Sequence, residues 1–94
     1  MEFEWGKGKR KRVIRDHGVD FEHAKRAFPF PRIEDDDLEH SETEDRVKMI
    51  GWTGSRVIVL IYTERRGKIR LITARHADVE EELLYYQTFF GEPF

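Results

Sequence analysis

The chain has no cysteine, only three prolines, and no apolar run approaching the roughly 20 residues a membrane helix needs. The first absence removes disulfide staples and thiolate chemistry, so the fold must rest on packing alone, as suits a reducing cytoplasm. The third removes a membrane span, and the start Met-Glu-Phe-Glu-Trp is unlike a signal peptide. No Gly-rich phosphate loop, no nucleophile with a neighbouring base and no His/Cys metal spacing is found, which removes most enzyme templates, and no cofactor or metal is expected. Ninety-four residues are expected to form one domain, residues 1–94, with a small core.

Charge, by contrast, is abundant and unevenly placed. The balance of 17 Lys and Arg against 19 Asp and Glu leaves a net charge of −2. Yet Lys7 to Arg15 holds six basic residues and no acidic one, while Glu34 to Asp45 holds eight acidic residues and no Lys or Arg. Such asymmetry lets one face meet a polyanion while another meets solvent or a cationic partner, although two oppositely charged solvated faces are an equally available reading.

Val57 to Ala77 reads as a β-hairpin at the centre of a sheet, two apolar β-branched runs around the turn Glu64-Arg65-Arg66-Gly67. Val47–Trp52 precedes it as a third strand, with the turn placed at Gly51 to Gly54, so three strands form an antiparallel meander. Phe3 and Trp5 alternate with glutamates in a short first strand that buries both rings on one face. Lys9 to His17 predicts a surface helix ended by Gly18, and Asp20 caps a second helix whose apolar face is Phe21, Ala24, Ala27 and Phe28. Pro29 and Pro31 end it, and Ile33 to Asp45 reads as an acidic loop. Asp78 and Glu81 form a capping-box pair for a last helix with Val79, Leu83, Tyr86 and Phe90 as its apolar stripe and Tyr85 at the core edge, hydroxyl exposed. The expected fold is α+β: a small antiparallel sheet with two N-terminal helices and one C-terminal helix.

One chemistry survives the absences. RNA can be cleaved by its own 2′-hydroxyl, so a protein needs only cations around the phosphate, an acid or base, and a positioning surface. Lys9, His17, Arg46, Arg70, Arg75 and Tyr85 are candidates, each weighed against an ion pair or a snorkelling side chain. Arg70, between Ile69 and Leu71 in a central strand, implies an open sheet face. In a regular strand Arg70 and Arg75 point to opposite faces, so sharing one site requires a bulge or strand end near Thr73.

Phe3-Glu4-Trp5, Lys9, His17-Gly18-Val19-Asp20-Phe21, Glu44-Asp45-Arg46, and Arg70-Leu71-Ile72-Thr73-Ala74-Arg75 with Glu81 and Tyr85 together resemble the BrnT family, toxins of a type II toxin–antitoxin system. The resemblance runs from about Phe3 to Tyr86. It implies a RelE-like fold, a ribonuclease that halts translation, and a BrnA-like antitoxin with a ribbon-helix-helix domain through which the complex reaches operator DNA. Carried over, the catalytic set is Lys9, Arg46, Arg70, Arg75, His17, Glu44 and Tyr85, with Arg46, Arg70 and Arg75 on the scissile phosphate. Lys7, Arg10, Lys11, Arg12 and Arg65 are expected to bind nucleic acid. Gly6 and Val13 stand where the family pattern has Asp and Asn, which keeps two alternatives in view: an inactive antitoxin-binding module, and a basic nucleic-acid-binding domain.

Overall fold

The computed structural model describes residues 1–37 and 45–91. In chain order these form β1 (Phe3–Glu4), α1 (Lys9–His17), α2 (Phe21–Ala24) with a 3-10 turn over Lys25–Ala27, β2 (Arg32–Asp36), β3 (Val47–Trp52), β4 (Val57–Arg65), β5 (Lys68–His76) and α3 (Val79–Phe90). The five strands make one sheet in the order β1-β5-β4-β3-β2.

Local signals placed most boundaries. Gly18 adopts φ 72°, and its N–H closes α1 onto the Ile14 carbonyl. The Asp20 carboxylate accepts from the Glu22 N–H, and Asp78 and Glu81 form the reciprocal capping box. At the hairpin tip Arg66 and Gly67 both have positive φ, which matches the two-residue turn that right-twisted strands prefer. The meander β3-β4-β5 is antiparallel throughout, and β4 is its central strand, buried from Val57 to Thr63.

One sheet face carries α1, α2 and the 3-10 turn. Val13, Phe21, Ala24, Ala27 and Phe28 pack there on Met49, Ile58, Leu60, Tyr62, Leu71 and Ala74. Phe3 and Trp5 join the same side, Phe3 edge-on to Phe28 and Trp5 against Phe21, as their alternation required. Gly51 is needed here because a Cβ would lie 3.1 Å from that of Ala27 and 3.2 Å from Cε of Met49. The opposite face holds Ile50, Val57 and Val59 under Tyr85 and Phe89 of α3.

Five features depart from the sequence expectation. The acidic stretch is not all loop: Arg32–Asp36 is an edge strand antiparallel to β3, where one ladder suffices and carboxylates remain solvated on an outer rim. The sheet is mixed rather than antiparallel, because β1 pairs parallel to β5 with Phe3 opposite Ile69 and Glu4 opposite Arg70. The turn after β3 falls at residues 53–56, where the Thr53 N–H reaches the Arg56 carbonyl and Gly54 has φ 102°. Tyr85 is buried, not at the core edge, and its hydroxyl donates to the Pro31 carbonyl at 2.7 Å. Finally, α3 packs through Tyr85 and Phe89, while the stripe expected to be buried faces solvent.

Ions as well as rings anchor α3. The Arg75 guanidinium grips the Glu81 carboxylate at 2.8 and 3.0 Å, and Lys48 Nζ stands 3.3 Å from it. Hydrogen bonding from Arg75 outweighs the opposing effect of desolvation, and with the Asp78 N–H it pulls the Glu81 carboxyl down to about 2. Because the folded value is depressed, this contribution is complete above the usual carboxylate range near 4.5 and is lost as pH falls through about 2. Arg75 is partly solvated, so screening limits the contribution to ~1 kcal/mol. Thermal melts of the chain and of Glu81→Gln should therefore differ by several degrees at neutral pH and converge between about pH 4.5 and 2. A gap independent of pH would show that Glu81 acts without its charge.

Candidate RNA-binding cleft

A cleft of about 280 Å³ opens where α1 meets the β1 end of the sheet, lined by Gly6, Lys9, Arg12, Arg46, Arg70, Leu71 and Ile72. Three distant segments meet in it. Lys9 and Arg12 stand three apart, on one face of the first turns of α1. Arg46 directly precedes β3, and Arg70 lies in β5. No acidic side chain lines the cleft among the described residues.

The first turn of α1 is electrostatically inverted. Helix N-termini carry partial positive charge and favour Asp or Glu, yet this one has no acidic residue and begins Lys-Arg-Lys-Arg. Arg10 turns away and makes two hydrogen bonds to the Asp20 carboxylate, at 2.7 and 2.8 Å. Lys9 and Arg12 make no ion pair among the described residues, which leaves two cations and a helix dipole of the same sign beside one opening. Such an arrangement costs stability unless an anion enters.

Arg70 is held rather than free. Its Nη1 donates to Glu4 Oε2 at 2.9 Å, a pair created by the parallel β1–β5 register. Its Nη2 lies 3.5 Å from where a Cβ on Gly6 would sit, so the glycine leaves the guanidinium open on that side. Glu4 and Gly6 were not recognised as site residues from sequence. The alternation Phe3-Glu4-Trp5 did signal that Glu4 faces away from the aromatics, but not that Arg70 faces it.

The bulge required for the two sheet arginines is present. Opposite Ile61 and Tyr62 the register jumps from Thr73 to Leu71, leaving Ile72 as the extra residue. Arg70 pairs with Thr63 and Arg75 with Val59, two odd-numbered residues of β4, so both arginines project to the α3 side. They do not meet, however. Arg75 is some 15 Å along the strand at ~3.3 Å per residue and is occupied by Glu81.

The remaining candidates are dispersed. His17 is exposed at the C-terminal end of α1, away from the cleft lining. Tyr85 is buried under α3, and desolvation, aided by Tyr86, raises its hydroxyl above the usual phenol range. Glu44 lies outside the described residues. Lys7, Arg10 and Lys11 line a second groove with Trp5, Gly8 and Ile14, which shares Gly6 with the first. Arg65 is exposed at the tip of the β4–β5 hairpin.

The fold and the cleft thus define a small α+β domain with a polycationic cleft at the edge of a five-stranded mixed sheet. A sequence model of the ribonuclease toxin BrnT of type II toxin–antitoxin systems matches residues 5–81. The chain belongs to the BrnT family and is a ribonuclease toxin, an endoribonuclease whose biology includes a cognate antitoxin and an RNA substrate. No curated protein matches the chain. No helix among the described residues is long and apolar enough to cross a membrane.

Proposed function

We propose that the cleft of Lys9, Arg12, Arg46 and Arg70 holds the scissile phosphate of RNA and that cleavage proceeds without a metal ion, through the substrate's 2′-hydroxyl. The convergence of these four cations on one opening carries the reading. In the reaction the 2′-hydroxyl gives its proton to solvent as its oxygen bonds to phosphorus, the bond from phosphorus to the 5′-oxygen breaks, that oxygen leaves as a hydroxyl by taking up a proton, and a 2′,3′-cyclic phosphate forms. Negative charge grows on the non-bridging oxygens, where fixed guanidinium and ammonium groups stabilise it more than they stabilise the ground state. Arg70, oriented by Glu4, and Arg46 are the planar donors suited to two phosphate oxygens. Lys9 is a compact donor that serves the leaving oxygen.

The adjacent groove extends the path. Gly6 lines both openings, and Lys7 and Lys11 in the second supply charge for a flanking phosphate. Arg75 and Tyr85 belong instead to the attachment of α3, because each has its polar group committed there. The two departures from the family pattern are compatible with activity: Val13 is a core residue, 4% exposed, and Glu4 supplies a carboxylate beside Arg70. The order of helices, meander and final helix supports a RelE-like fold. Translation arrest in the cytoplasm and neutralisation by a ribbon-helix-helix antitoxin complete the reading.

Incubating the purified chain with an RNA oligonucleotide in excess EDTA tests it. Cleavage should persist and yield 2′,3′-cyclic phosphate ends, and a 2′-O-methyl group at the scissile nucleotide should block it. Loss of cleavage on chelation, or cutting of the 2′-O-methyl substrate, would overturn the mechanism.

A further inference from the structure

The stripe that α3 turns to solvent has a spacing of its own. Val79, Leu83, Tyr86 and Phe90 are separated by four, three and four residues, and they are 73%, 45%, 37% and 72% exposed. On a helix of 3.6 residues per turn these four fall within about 60° of arc, a narrow seam rather than a broad core-facing stripe. Spacing of four and three is that of the a and d positions at which one helix receives another. The seam lies well round from Tyr85 and Phe89, which hold α3 on the sheet, so both surfaces can be used at once.

Charge on either side of the seam narrows the partner. Glu80 and Glu82 occupy the flanking positions that set partner choice in paired helices, and neither makes an ion pair among the described residues. The whole of α3 contains no Lys or Arg. RNA is repelled by such a surface. A second copy of α3 would bring no cation to these carboxylates. An amphipathic helix with an apolar seam and Lys or Arg beside it satisfies both features.

We propose that the outer seam of α3 is the docking surface for a helix of the cognate antitoxin, with Leu83 and Tyr86 as central anchors and Glu80 and Glu82 meeting basic residues of that helix. The partner class rests on the family assignment; the surface and its chemistry rest on α3. RNA binding and antitoxin binding are thereby assigned to different parts of the molecule.

The test is capture of the full-length chain by the tagged antitoxin encoded with it, read without reference to cleavage. Leu83→Glu and Tyr86→Glu should each weaken capture by roughly thirtyfold, as at an interface anchor. Leu84→Glu, on the same helix but about 140° round from Val79, should leave capture within threefold of the parent. Glu80→Lys with Glu82→Lys should weaken capture most at low salt. Leu83→Ala and Tyr86→Ala provide milder variants if a glutamate prevents folding, and circular dichroism checks that the helix persists. Unchanged capture by the Leu83 and Tyr86 variants would overturn the proposal, as would equal loss from Leu84→Glu. A dimer of the chain alone that Leu83→Glu dissolves would assign the seam to a second copy and equally overturn it. Failure of RNA cleavage would refute the cleft mechanism without altering the capture result.

Discussion

Arg70→Ala is expected to slow RNA cleavage by about 10²–10³-fold, the cost typical of removing one positioned donor from a developing oxyanion. Arg70, whose Nη1 donates to Glu4 Oε2 at 2.9 Å, lines the cleft proposed to hold the phosphate. Because that interaction strengthens as charge accumulates on phosphate, the loss should appear in kcat more than in KM. Arg70→Lys should recover part of the rate, since an ammonium restores charge but cannot bind Glu4 and phosphate oxygens in the same planar geometry. The control is Arg75→Ala, which breaks the Glu81 contacts under α3 and should lower thermal stability while leaving cleavage within a few fold. Single-turnover cleavage of one RNA oligonucleotide by the three variants decides the matter. If Arg75→Ala is the inactive variant and Arg70→Ala cleaves normally, the assignment of the cleft is wrong.

Phe21→Ala should cost ~3–4 kcal/mol of folding stability, within the range for deleting a buried aromatic side chain. Phe21 is wholly buried, packs against Trp5 at 5.5 Å between ring centroids, and shares a cluster with Val13 and Ala24, so it joins β1, α1 and α2 to the sheet. The void cannot be filled by neighbours that are themselves fixed by Asp20 at the start of α2 and by the sheet beneath. A domain of this size has about 5–10 kcal/mol in total, so the variant approaches the threshold of unfolding at 37 °C. Urea denaturation should show a lower midpoint with an unchanged slope, since the surface exposed on unfolding hardly changes. A loss below about 1 kcal/mol would mean that the N-terminal helices contribute little to the fold. Cleavage by the surviving folded fraction should be affected far less than by Arg70→Ala, because Phe21 does not line the cleft.

The candidate site was partly legible beforehand. Lys9, Arg46 and Arg70 are candidates in the sequence as cations suited to a phosphate and again through the resemblance to a family pattern, and Arg12 through its place in a basic run; the structure brings these four to one opening. Arg75 was placed with them on the same grounds, yet its position beside Glu81 depends on how α3 docks. The apolar stripe of α3 shows the limit clearly. Its periodicity correctly indicated a helix with an apolar face, but periodicity does not state which partner covers that face. Tyr85 and Phe89 made an equally regular i, i+4 pair, and sheet geometry chose them.

What the sequence by itself determined is local: the Gly18 stop, the Asp20 cap, the Asp78–Glu81 capping box and the β3-β4-β5 meander with its tight hairpin turn. Each of these is written within a few residues, because a cap or turn involves backbone groups adjacent in the chain. Only the tertiary structure decided that an acidic segment becomes the edge strand β2, that β1 lies parallel to β5, and that Ile72 bulges so that both arginines reach one face. Those outcomes depend on which distant strand offers free hydrogen-bonding groups and which side of the sheet is already filled. The cleft is their product. Lys9, Arg46 and Arg70 belong to separate segments, and folding the small core draws their charges together even though they repel one another.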